Sequence, residues 1–311
     1  MNPAFSVVVF TAAAGAAQGL VVAIALGLLA GVPVATTSVR AGLLVALVLL
    51  LAGLGASFLH LGRPERAWRA ATMWRTSWLS REVIVLPLFI AVVGFWWLME
   101  REPHSLSARA LLPLAAIALA ALLWYCTAMI YACLRFIEEW AQPLTIVNFV
   151  LLGLSSGLVL ASALAALAGE SRALALAVPA ALVVTLVAWA SRTAAWRRNA
   201  AIRHRSTLQT ATGIASPRLR QTSMGMSAGS FNTREFFHRA SLAALRRIKG
   251  AAIVLAFALP AALLAAVAVG ALPAGVCVAA LIVQVPGLIA DRWLFFAQAK
   301  HPQNLYYQVV S

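Results

Sequence analysis

Histidine and carboxylate side chains at one depth in a membrane can trade protons with a redox carrier, and this chain places such a pair in Phe58–Glu82. That stretch reads FLHLGRPERAWRAATMWRTSWLSRE, polar and strongly basic between two apolar runs. His60 closes the first run, and Glu82 opens the next one 22 residues on. Histidine has an ordinary pKa of ~6.5, so it takes and gives protons near neutral pH. Reduction or oxidation of a quinone moves electrons together with protons, and the quinone oxygens need a proton partner of this kind. His60 and Glu82 are therefore the candidate proton-handling residues. His60, Arg63, Arg81 and Tyr131 are the candidate ligands of a quinone, whether ubiquinone or menaquinone. Arg135, Asn148 and Asp291 fall on the same face as further polar candidates. Plainer roles stand beside these: a carboxylate at a helix N-terminus is favoured by the macrodipole, and the other polar residues suit headgroup anchoring or helix-end capping.

Other redox chemistry finds little support. His104, His204, His238 and His301 fall in loops or the tail, whereas membrane cytochromes of the b type need histidine pairs on facing helices. The protein thus reads as haem-free, with no metal site of its own. Cys126, Cys133 and Cys277 lie inside apolar runs without a clustered motif, so any iron–sulfur centre is expected on another subunit. As small apolar side chains they suit packing. Gln18 and Gln284 are the main polar residues in mid-span, and no ionisable group is expected deep in any span. That pattern disfavours a pump or a transporter coupled through buried carboxylates. No clear repeat relates the two halves, as a transporter of the inverted-repeat kind would show.

The elements that must position these residues are membrane helices. Of 311 residues 63% are hydrophobic and 11% charged, against ~25% charged in soluble domains, and the mean hydropathy is +0.90. The start, MNPAFSVVVF, lacks the basic segment of a signal peptide, so the first apolar run is expected to remain as a membrane helix. A span needs roughly 20 apolar residues. Charge-free runs fall at Phe5–Ala30, Ala41–Leu59, Val83–Met99, Ala110–Leu134, Leu144–Gly169 and Ala173–Ser191. A last run, Gly250–Ala290, divides at the turn sequence GALPAG (Gly270–Gly275) into two. The expectation is an all-α, polytopic bundle of eight transmembrane helices forming a single domain over 1–311.

Charge sets the orientation. The formal net charge is +15, and 22 of the 24 basic residues are Arg, nearly all in loops. This distribution suits membrane orientation and headgroup contact, not nucleic acid. Loop 2–3 holds Arg63, Arg66, Arg69, Arg75 and Arg81, and 20 of the 24 basic residues fall on the face that also carries both termini. The positive-inside rule then puts both termini in the cytoplasm of a bacterial inner membrane. The long basic loop at about 196–248 is too polar and too rich in Gly, Ser and Thr to form its own core. Within it, Asn232 or Thr233 of FNTREFFHRA (Phe231–Ala240) suits the cap of a short helix. Paired aromatics beside arginines there fit a docking surface for a cytoplasmic partner, as does the tail AKHPQNLYYQ; a solvated basic loop is the alternative.

FLHLGRPERA followed by SWLSREV resembles the signature of the DmsC family, the membrane anchor subunits of dimethyl sulfoxide reductase-type molybdoenzymes. Length and eight spans extend the resemblance over the whole sequence. The resemblance implies a haem-free, quinone-binding anchor in the lipid bilayer. Its partners would be an iron–sulfur electron-transfer subunit and a molybdopterin catalytic subunit, which alone carry the iron–sulfur clusters and the molybdopterin. It implies a quinone-site histidine at His60, through HLG, and a functional glutamate at Glu82. In the best-known dimethyl sulfoxide reductase branch the partner-binding face is periplasmic, whereas the charges here put it in the cytoplasm. The long basic loop and the tail HPQNLYYQ look more like the anchor of the cytoplasm-facing sulfite:quinone oxidoreductases, the Soe-type complexes. There sulfite is oxidised and quinone reduced; a quinol-oxidising anchor for a sulfoxide or N-oxide reductase is the alternative.

Overall fold

The computed structural model describes residues 1–59, 61–100, 106–223, 237–238 and 240–306. His60 and the proposed cap at Asn232 or Thr233 lie outside the described residues. Among those described, the regular structure is helical and eight helices are long and apolar enough to cross a membrane. They are α1 (Phe5–Leu29), α2 (Thr36–Phe58), α3 (Trp78–Met99), α4 (Leu106–Ala132), α5 (Pro143–Ala168), α6 (Ser171–Ala200), α7 (Leu242–Ala268) and α8 (Val276–Ala297). The division of the last apolar run falls at GALPAG as predicted: Gly270 takes φ 74°, a left-handed conformation that glycine adopts without a Cβ clash.

α1 runs through the middle, against α2, α4, α5 and α8. Its closest neighbour is α5, because glycines face each other across that seam. A Cβ on Gly19 would fall on the Gly153 backbone, and one on Gly157 would fall on that of Gly19. Small residues of this kind let helix backbones approach where lipid supplies no hydrophobic drive between helices. α2 and α6 turn outward leucines and valines (Leu44, Val48, Leu51; Val183, Leu186, Val187) toward the membrane.

A second seam joins α7 and α8. Pro260 brings no N–H to the carbonyl of Ala256 four residues back, and the helix widens into a π segment at Ile253–Ala258. Gln284 of α8 donates to that Ala256 carbonyl at 3.4 Å and to Ser155 Oγ of α5 at 3.1 Å. Ser155 shares a 2.7 Å hydrogen bond with Thr185 of α6. The mid-span glutamine thus ties four helices.

The helix ends depart from the charge-free runs. α6 continues to Ala200 and α8 to Ala297, past the expected ends at Ser191 and Ala290. Arg192, Asp291 and Arg292 therefore lie within helices and are buried, as is Glu82. The charge-free runs left these four groups outside the spans, whereas the helices include them. For Arg192 and Asp291 the physical reason is pairing: Arg192 Nε sits 2.6 Å from Asp291 Oδ1, so these two opposite charges meet inside the bundle.

Both described ends of the chain share one face of the bundle. The Met1 amino group donates to the carbonyls of Ala297 and Ala299, each at 3.1 Å. Eight antiparallel crossings put loops 2–3, 4–5 and 6–7 on this face, here termed the loop face.

Candidate functional site

Loop 2–3 leaves α2 and forms a 3₁₀ helix at Pro64–Ala71, with Pro64 at its first position. The chain then enters α3 through a cap: Ser77 Oγ accepts from the Ser80 N–H at 3.3 Å. This cap starts α3 at Trp78, ahead of the predicted Val83, and sets Glu82 in the second turn with its side chain turned into the bundle. Glu82 is 5% exposed, and Thr127 Oγ1 of α4 donates to its Oε1. Among the described residues no basic group forms an ion pair with it. A carboxyl withdrawn from water without a counter-ion is costly, and such groups in membrane helices mark functional positions.

The neighbouring candidates are distributed differently. Arg81 points back over the loop, its Nε to the Trp74 carbonyl at 2.9 Å and its Nη2 to the Arg75 carbonyl at 2.8 Å. Its guanidinium lies 4.1 Å from the centre of the Trp78 ring, and Trp78 meets Tyr125 of α4 edge-on at 5.3 Å. Arg81 thus stiffens the loop around Glu82. Arg63 is exposed at the start of the 3₁₀ helix. Tyr131 sits in an aromatic cluster, stacked on Phe149 at 5.7 Å and edge-on to Trp140, Phe295 and Phe296 at 5.2–5.4 Å. Arg135 is exposed.

Two roomy cavities lie away from Glu82. One, of about 550 Å³, is an aliphatic groove at the opposite end of α1, α2, α5 and α6. Its polar edge is Glu170, which accepts from the Ala35 N–H at 2.9 Å and from Ser38 Oγ at 2.7 Å. The other, of about 680 Å³, is a cleft on the loop face bordered by His204, His238 and His301. Burial lowers His238 and His301 below the usual histidine value, and the amino terminus adds to it. No three His, Cys, Asp or Glu side chains converge on a metal position among the described residues.

A buried polar cluster completes the loop face, and charge-free runs conceal most of it. Arg192 and Asp291 pair there, Arg292 lies 4.0 Å over Phe149, and Glu139 is buried within 3.6 Å of His204 Nε2. One signal was available: Asp291 is the sole aspartate of the sequence, set among aromatic and apolar residues.

The family model for the DMSO reductase anchor subunit (DmsC) matches residues 1–297. The protein belongs to the DmsC family. It is 47% identical to the C subunit of the sulfite dehydrogenase of Allochromatium vinosum, over an alignment spanning all of both proteins. It is also 33% identical to YnfH, of the anaerobic dimethyl sulfoxide reductase of Escherichia coli K12, over 37% of this sequence and 41% of that one. The C component of the anaerobic dimethyl sulfoxide reductase of Haemophilus influenzae is 32% identical over 38% and 43%. As a DmsC-family anchor, the protein is a multi-pass membrane subunit.

Proposed function

We propose that this anchor binds a quinone headgroup at His60 and Glu82 and carries electrons between the quinone pool and an iron–sulfur partner subunit. The molybdopterin subunit of that complex oxidises sulfite, and the loop face lies in the cytoplasm. The buried Glu82 carboxyl, held by Thr127 and unpaired with any basic group among the described residues, is the observation that carries this reading. A bound quinone supplies the two-electron, two-proton couple. His60 donates a proton or hydrogen bond to one quinone oxygen, and Glu82 restores that proton. Thr127 holds the carboxyl through its hydroxyl, and Arg81 braces the loop that leads into its helix. Arg63 and Tyr131 complete the set of residues assigned to the headgroup.

The sulfite branch draws support from the full-length likeness to the sulfite dehydrogenase protein of Allochromatium vinosum, and the cytoplasmic orientation from the arginines of loop 2–3. The opposite direction, quinol oxidation serving a sulfoxide reductase, draws on the two relatives matched over less than half of their length.

Membrane vesicles holding the assembled complex test all three parts. Inside-out vesicles are expected to reduce added quinone when given sulfite, right-side-out vesicles to fail until opened with detergent, and His60→Ala to abolish the reaction. Turnover in His60→Ala equal to wild type would remove the histidine from the site. Sulfoxide-dependent quinol oxidation without sulfite activity would select the reductase branch.

A further inference from the structure

We propose that protons reach Glu82 through the interior of the bundle, from His204 on the loop face by way of Glu139 and two water-sized cavities that meet at Arg292. The route rests on the reading of Glu82 as a proton-handling group. It is argued from side chains that reading does not use.

At the outer end His204 is 28% exposed, and its Nε2 lies 3.6 Å from Oε1 of the buried Glu139. Glu139 borders a small cavity walled also by Asn148, Asp291 and Arg292. Arg292 and Phe149 wall a second cavity as well, with Gln18, Trp124 and Thr127. Thr127 donates to Glu82. Polar groups therefore line both cavities between the part-exposed His204 and the candidate site, and the cavities share Arg292 and Phe149 as walls.

Each cavity offers about 10 Å³ to the centre of a water, at the lower bound of the ~10–15 Å³ a cavity needs to hold one. The polar atoms left over at the walls are those such waters would satisfy. Asp291 Oδ2 and Asn148 Oδ1 are buried acceptors without a protein donor, and Trp124 Nε1 is a buried donor without an acceptor. Asp291 is 1% exposed and Asn148 4%. Their other polar atoms are engaged, Asp291 Oδ1 by Arg192 at 2.6 Å and Asn148 Nδ2 on the Leu144 carbonyl at 2.7 Å. Buried polar atoms are as a rule partnered by protein or water, and a water needs two or more such partners.

Arg292 does not itself release a proton, because a guanidinium stays charged in proteins. Its N–H groups would hold a water on either side, and the route passes the proton from one of these waters to the other beside the guanidinium. Protons pass by exchange of O–H and N–H bonds: one enters at His204 for each that leaves Glu82, and nothing is oxidised or reduced along the way.

The test reads the proton at Glu82 directly, without quinone turnover. In the assembled complex in lipid, an infrared band that responds to a pH jump and is missing in Glu82→Gln belongs to this carboxyl. Its response is expected to slow by about tenfold or more in Asn148→Leu, which fills the first cavity, and in His204→Ala. Added imidazole is expected to restore the rate in His204→Ala, a recovery that a merely structural role would not give. Should Asn148→Leu fail to fold, the part-exposed His204 decides alone. An unchanged response in His204→Ala would overturn the route, and a slowed one that imidazole leaves slow would do the same. Quinone reduction that persists in Glu82→Gln would instead strike at the proposed function, while the band kinetics would still report the route.

Discussion

Arg192 and Asp291 show how a charge survives inside a membrane helix. Each is at most 5% exposed, and they meet at 2.6 Å, so attraction offsets much of the cost of leaving water. Removing one partner strands the other, which costs about 3–5 kcal/mol for a buried pair. Asp291→Asn is therefore expected to lower the melting temperature of the solubilised protein sharply. The double variant Arg192→Leu with Asp291→Leu is expected to recover most of the loss, because neither charge then stays unpaired. Equal melting of Asp291→Asn and wild type would show the pair to be idle. In the sequence these residues look like the ordinary ends of spans, since a charge after an apolar run reads as solvent. Only the partner on another helix shows that both are inside, and nothing local announces that partner. Glu82 was legible because a carboxylate follows the basic loop directly. Its hydroxyl donor Thr127, 45 residues on in another helix, was not.

At the scale of elements, the helix centres follow from apolar length alone, while their ends and contacts follow from chemistry that runs of hydrophobicity do not encode. α3 begins at its Ser77 cap, α6 and α8 continue through their buried charges, and GALPAG divides the last run because Gly270 can take a positive φ. Small residues allow close helix packing, but their positions in the sequence do not say which helices meet. The structure puts α1 on α5 through Gly19, Gly153 and Gly157. Gly157→Leu is expected to push these helices apart, at a cost of at least ~1–3 kcal/mol, read as loss of folded anchor from the membrane and lower melting. Gly27 is the control on α1: a Cβ there meets nothing within 4 Å, so Gly27→Ala is expected to be neutral or to stabilise by ~0.5–1 kcal/mol. If both variants behaved alike, the seam would not be the contact that holds α1 in place.

Across the whole molecule, the buried charged side chains among the described residues are gathered at one end. Glu82, Glu139, Arg192, Asp291 and Arg292 are all buried near the loop face, whereas the groove at the far end is aliphatic except at its edge. That asymmetry suits an anchor that meets a partner and a quinone on the same side and rests in lipid on the other. It was partly legible as arginine counts by loop; the buried part was not, because those counts treat every charge as exposed. The site itself is tested most directly by binding. A fluorescent quinone-site inhibitor titrated into membranes holding the assembled complex reads affinity at His60 and Glu82 without turnover. Loss of a hydrogen bond to a charged or proton-sharing group is worth ~1.5–3 kcal/mol, so His60→Ala and Glu82→Gln are each expected to raise the Kd about tenfold or more. Wild-type affinity in both variants would contradict a headgroup held between these two residues.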